Sequence, residues 1–221
     1  MPARTAPGTS LARTLVRSHA DALALAAPIV AAVRAEQLEL PTPCAGWTLR
    51  RLLEHVVGQQ YGFAAAARGS GARPEVWADH RFEQGPGAAL AALAGFADSA
   101  RELVVSFADA ADQGRPFALP EISTEQDFPA ERAIAFHLLD TLVHAWDVAA
   151  AVGVPLECPQ PLAALLLRVA EQVPGGAQDR GPGRAFGPGL AGRPDQPPFD
   201  RALALLGRVP HWTPPRPVLG A

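Results

Sequence analysis

Long runs rich in alanine and leucine, each closed by glycine or proline, are what most restrict the shape this chain can take. Alanine and leucine are strong helix formers. Glycine costs backbone entropy and proline lacks the amide donor, so both interrupt a helix. Runs at about 10–38, 48–68, 88–111, 130–153 and 160–173 therefore read as helices. In the first, Leu15, Ala22, Ile29 and Val33 fall near one stripe, and Pro28 either kinks the helix or splits it. Thr48 has the side chain to cap the second, whose apolar face is Leu49, Leu52, Leu53, Val56 and Val57. Pro129 suits the first turn of the fourth, and Gly153 ends it. Between these runs, 72–86 reads as a loop or short helix and 114–129 as an extended stretch or small hairpin.

The ends differ in character. Residues 1–9 read as disordered. The Gly-, Pro- and Arg-rich stretch 174–200 is followed by a short helix, Arg201 to Leu206, with Asp200 as its cap. The expected organisation is a metal-binding helical bundle over 10–173 and a C-terminal tail over 174–221, its short helix packed on the bundle.

Composition removes several classes of function. All 19 basic residues are arginine, and they are scattered, with Arg50/Arg51 the one adjacent pair; the net charge is -3. Phosphate binding needs a clustered basic surface, so nucleic acid is not an expected partner. The two cysteines, Cys44 and Cys158, make neither a disulfide framework nor a Cys-x-x-Cys zinc ribbon. The longest Ala/Leu run is broken by Asp21 and Pro28 and is too short for a bilayer. No secretory signal is evident at the N-terminus, and a cytoplasmic protein without membrane partners is expected.

Chemistry concentrates in Phe136-His137-Leu138-Leu139-Asp140-Thr141-Leu142-Val143-His144-Ala145-Trp146-Asp147. Asp140 and His144 stand at i and i+4, which stacks them on one helix face about 6 Å apart along the axis. A carboxylate and an imidazole so placed can converge on one cation, and His137 shares their face. Such ligands suit zinc, and would also accept nickel, iron or manganese. A third ligand must come from another helix, and His55 is the best placed. Three protein ligands leave a position open for water or substrate. The competing reading is a packed polar cluster satisfied by its own hydrogen bonds.

With these residues in view a resemblance emerges. Pro43-Cys44-Ala45-Gly46-Trp47-Thr48-Leu49-Arg50-Arg51-Leu52-Leu53-Glu54-His55-Val56-Val57-Gly58 resembles the second-helix signature of the mycothiol-dependent maleylpyruvate isomerase N-terminal domain family, within the DinB-like superfamily. Asp140 to Asp147 resembles that family's acidic-x-x-x-His-x-Trp-Asp signature. The tail, with Arg184-Ala185-Phe186-Gly187-Pro188 and Phe199 to Arg208, is similar to an uncharacterised branch of it. The resemblance implies an all-α fold: a DinB-like four-helix bundle with an extra C-terminal helix and a long Pro/Gly-rich tail. It implies a divalent metal, usually zinc, held by His55, Asp140 and His144, with Asp140 standing where the isomerases commonly carry glutamate. It also implies mycothiol or a similar thiol as cosubstrate. The expected function is a metal-dependent thiol transferase or isomerase acting on a small-molecule electrophile. The alternative is a non-catalytic bundle that binds a small molecule or protein, its metal structural or absent. A homodimer is one open form of assembly.

His137 is the candidate catalytic residue, with a fourth ligand, a ligand's hydrogen-bond partner and a core histidine as its open readings. Asp147 is expected at the helix surface or in a capping contact rather than orienting an imidazole. Cys44 is expected as a structural thiol without a basic partner, and Trp47 and Trp146 as core anchors. Arg50 and Arg51 are expected to be solvated, and His19, His80 and His211 to lie on the surface.

Overall fold

The computed structural model describes residues 10–176, 180–181, 186–193 and 195–215. The expectation for residues 1–9 lies outside them, as do Arg184 and Ala185 of the tail motif. The described chain is all-helical: α1 (Ser10–Ala31), α2 (Leu49–Ala67), α3 (Ala88–Gln113), α4 (Ala130–Val152), α5 (Gln160–Ala170) and α6 (Pro198–Leu205). Short 3₁₀ turns occupy Ala35–Gln37 and Pro74–Trp77. None of the described helices is long and apolar enough to cross a membrane.

Helices α1 to α4 form the bundle, with α1 packed on α4 and α3, and α2 on α3 and α4. Leu49, Leu52, Leu53 and Val57 are fully buried, so the apolar face expected for α2 is its inner face. Helix α5 packs on α4 and α6, and α6 carries Phe199, Ala202 and Leu203 into the same apolar cluster as Leu138 and Leu142 of α4.

Local chemistry sets the helix ends. Thr48 Oγ1 accepts from Arg51 N at 3.3 Å, the cap expected of it. Gly114 and Gly153 close α3 and α4 in the left-handed conformation. Pro28 does not split α1: the helix runs through it to Ala31, one i→i−4 bond short because proline has no amide donor, and Ala32 N bonds Pro28 O at 3.1 Å. Asp200 is not the cap of the final helix. That helix begins earlier, at Pro198 after Pro197, because a proline in the first turn has no amide to satisfy, and Asp200 falls within the first turn. The stretch 114–129 is pinned as an extended pair, with Phe117 and Phe128 exchanging backbone hydrogen bonds at 2.8 Å.

Candidate metal centre

Helix α2 brings His55, and helix α4 brings Asp140 and His144, to one place between them. One potential ligand atom from each lies within 4.8 Å of the others. His144 Nε2 is 3.2 Å from Asp140 Oδ1, and the His55 and His144 ring centroids are 5.6 Å apart. The side chains of His55 and Asp140 are 21% and 26% exposed, so the group is reached from solvent, while that of His144 is 10% exposed.

Each imidazole is held from behind by a carboxylate. His55 Nδ1 pairs with Asp79 Oδ1 at 3.2 Å, and His144 Nδ1 with Asp147 Oδ2 at 2.9 Å. With Nδ1 donating to a carboxylate, Nε2 of neutral His55 carries the lone pair that a cation needs, and Nε2 of His144 offers one once its proton leaves, as in carboxylate–histidine–metal arrangements. The donor set therefore fits a divalent metal, with two oriented imidazoles and one carboxylate converging and one side open.

The electrostatics follow from burial and pairing. His55 is lowered by its burial and then by the charge of His144, so it is neutral at pH 7. Burial also works against charging His144, but Asp140, with the hydrogen bonds from Asp140, Asp147 and Cys44, outweighs it and raises this imidazole well above its ordinary value. Burial opposes the charge on Asp140 as well; His144 foremost, then His137 and His55, hold it below the usual carboxylate range. Without a metal, the centre keeps a proton on His144 between two carboxylates. Glu121, in the loop before α4, is pushed up by partial burial and by the charges of Asp140 and Asp79.

Asp79 is positioned by two glycines. Its segment runs across α2 where Gly58 and Gly62 offer no side chain. A Cβ on Gly58 would come within 2.6 Å of Ala78 O, and one on Gly62 within 2.5 Å of the Trp77 ring. His80 N donates to Glu54 O at 2.9 Å, Arg81 Nη1 to Glu54 Oε2 at 2.7 Å, and Phe82 N to Glu54 Oε1 at 3.2 Å. Buried Glu54 thus ties down the segment on the far side of Asp79.

His137 lies one turn before Asp140, at 1% exposure. Its Nδ1 is 2.8 Å from His19 Nε2 and 3.1 Å from Thr141 Oγ1, and its ring packs edge-on against Phe63. Burial pushes His137 down to about 4, so it is neutral at pH 7.

Three expectations are overturned here. His19 is not a surface residue: it is fully buried in α1, bonded to His137 and edge-on to Phe107, because α1 turns that face to α3 and α4. Asp147 is not a surface or capping group: it is 0% exposed and holds His144, because it lies at i+3 on the inward face of α4. Cys44 does have a basic partner. Its Sγ lies 3.1 Å from Asp147 Oδ2 and accepts from Arg208 Nη2 at 3.1 Å, across a sequence separation that hides the pair. Trp47 and Trp146 are partly buried, and Trp47 stands edge-on to His55 with Arg51 over its ring. Arg50 is half-buried and bonded to Glu39, whereas Arg51 is exposed. His80 and His211 are exposed as expected.

Over residues 5–149 the chain matches the family model described as mycothiol maleylpyruvate isomerase N-terminal domain. The chain belongs to that family. Two uncharacterised proteins of Mycobacterium tuberculosis, MT0763 and Rv0738, are 35% identical over 195 residues, spanning 87% of this chain and 96% of each relative. A crystal structure of the mycothiol-dependent maleylpyruvate isomerase superposes with a TM-score of 0.53 at 13% identity, over 77% of this chain and 73% of that one. A point mutant of the same enzyme matches equally well. The likeness establishes a shared helical fold. In this member of the mycothiol maleylpyruvate isomerase N-terminal domain family, the converging residues and Asp147 all lie within the matched segment. Arg208 comes from beyond it.

Proposed function

We propose that this protein is a metal-dependent thiol transferase or isomerase that uses a low-molecular-weight thiol, with His55, Asp140 and His144 as the metal ligands. The observation that carries the reading is the pair of carboxylate-backed imidazoles converging with Asp140 on a solvent-reached point. A divalent cation such as zinc held by these residues would favour the thiolate form of a thiol, mycothiol being the one the family name supplies, and so supply a nucleophile for an electrophile.

The chain's own residues do the rest. Asp79 and Asp147 keep both rings turned with Nε2 toward the open point. Trp47 stands edge-on against one side of His55. Arg51, stacked over Trp47 and exposed, supplies a positive charge for an anionic small-molecule substrate. His137 enters as the proton acceptor behind Asp140. It is neutral, and its Nε2 has no hydrogen-bond partner among the described residues.

Metal analysis of the purified full chain, and of His55→Ala, is the first test, and conversion of mycothiol plus a model electrophile is the second. We expect about one divalent metal per chain, loss of most of it in the variant, and thiol-dependent turnover that follows metal content. Equal metal in both proteins would remove the ligand assignment. Metal with no thiol chemistry would leave a metal-stabilised binding bundle in its place.

A further inference from the structure

We propose that Arg208, delivered by the C-terminal helix, is a positioning residue for the metal centre that fixes Asp147 and, through it, the ring of His144. This rests on the reading that His55, Asp140 and His144 hold a cation.

The path from sequence to this contact is short. Helix α6 ends in a turn that only a left-handed residue can make, and Gly207 takes it at φ 77°. Gly207 N bonds Ala204 O at 3.0 Å and Arg208 N bonds Leu203 O at 2.8 Å, the two bonds of a Schellman closure. A side chain at 207 would meet the Pro188 carbonyl at 2.9 Å, so two tail segments close on each other there. The turn sends Arg208 inward, and its side chain is 8% exposed.

Inside, the guanidinium grips Asp147 as a fork, with Nε donating to Oδ1 at 3.1 Å and Nη2 to Oδ2 at 3.0 Å. Nη2 also donates to Cys44 Sγ at 3.1 Å, which links the connector before α2 to the same clamp. Asp147 is wholly buried, and a carboxylate there is tolerated only when its charge is compensated and its oxygens are bonded. Besides Arg208, the side chains that bond it among the described residues are His144 and Cys44, and Arg208 is the permanent cation of the three. A two-pronged grip fixes the plane of the carboxylate as well as its place. The oxygen that Asp147 offers to His144 Nδ1 is therefore aimed by Arg208. His144 cannot turn about its side chain without breaking that bond, and its Nε2 stays beside Asp140.

An arginine that only anchored the tail would leave the metal affinity of the bundle alone. Affinity for Zn²⁺, measured on the full chain by competition with a chromophoric chelator, separates the two roles. Helical content is checked by circular dichroism. The proteins needed are the natural one, Arg208→Met, Arg208→Lys, Asp147→Asn and the Asp147→Asn/Arg208→Met pair. We expect Arg208→Met to weaken binding by about 10- to 100-fold, the usual effect of losing a ligand's outer support. Arg208→Lys keeps the charge without the fork and should fall between. The pair should bind no worse than Asp147→Asn alone, because the arginine acts through that carboxylate. Unchanged affinity in Arg208→Met, or losses that simply add in the pair, would overturn the assignment. If Arg208→Met does not fold, Arg208→Lys decides the matter by binding more weakly than the natural protein or equally well. A natural protein that takes up no Zn²⁺ would remove the metal centre itself, and this role with it.

Discussion

Asp79 reaches Nδ1 of His55 at 3.2 Å only because Gly58 lets the chain of Ala78 and Asp79 lie directly on α2. A helix-interior glycine, ordinarily a small loss of stability, here sets the orientation of a candidate ligand.

Gly58→Ala should therefore act at a distance. Its Cβ would stand 2.6 Å from a backbone carbonyl that has no flexible end to yield. We expect about 1–3 kcal/mol of destabilisation in denaturant unfolding, the range for overpacking. Metal affinity should fall along with that of Asp79→Ala. Full affinity in Gly58→Ala would mean that the segment moves without disturbing His55.

The buried pair His19 and His137 makes stability sensitive to acid. His137 titrates near 4 in the folded chain and near its ordinary 6.5 when unfolded. Its contribution is complete above about pH 6.5 and is lost as pH falls toward 4, by about 3 kcal/mol for a shift of this size. His19, lowered by burial and then by His137, acts in the same sense. His144 acts in the opposite sense in the metal-free chain, since its raised value favours the folded state at low pH and that benefit fades on going up through it. Urea unfolding from pH 7.5 to 4.5 in the presence of chelator, for the natural chain and His137→Phe, isolates the term. The variant should lose less stability on acidification, and parallel curves would contradict the assignment.

Metal uptake should release a proton. His144 is held charged between Asp140 and Asp147, and a cation can take its Nε2 only by displacing hydrogen. Calorimetric titration with Zn²⁺ at pH 7, in buffers of different ionisation enthalpy, should show about one proton leaving per metal bound. Heats that do not depend on the buffer would place the metal elsewhere.

His137→Phe also separates catalysis from binding. His137 is 1% exposed and is not among the converging ligand atoms, so metal content should hold within about 2-fold. Turnover in the thiol assay should drop by about 10²-fold or more if this imidazole moves the proton. Normal turnover with normal metal would reduce it to a packing group bonded to His19.

Much of the bundle was legible because helix signals are local. The inner face of α2, the Thr48 cap and the Gly153 stop each depend on residues within a turn of one another. The i and i+4 spacing of Asp140 and His144 is local too, and His55 stands out by its place on the inward strip of α2, with the family likeness pointing to the same residue. What escaped reading was the support around them. Asp79, Cys44 and Arg208 meet their partners across 24, 103 and 164 residues, and no periodicity encodes such distances. Asp147 was misplaced because an acidic residue near a helix end is usually solvated, and the cation that lets it be buried lies in another part of the chain. Two signals were present. Gly58 and Gly62 at i and i+4 mark a groove on α2, and Gly207 after a Leu-rich helix marks a left-handed closure that points the next side chain inward.

The Schellman closure that turns Arg208 inward also constrains how this architecture can vary. A bundle carrying a fully enclosed carboxylate at 147 cannot exchange its C-terminal segment for an arbitrary sequence, because the replacement must bring a cation to the same spot or residue 147 must change with it. Shuffling of tails among such proteins is thereby coupled to one position in the middle of α4. A chain trimmed to the bundle would inherit an unneutralised charge in its interior.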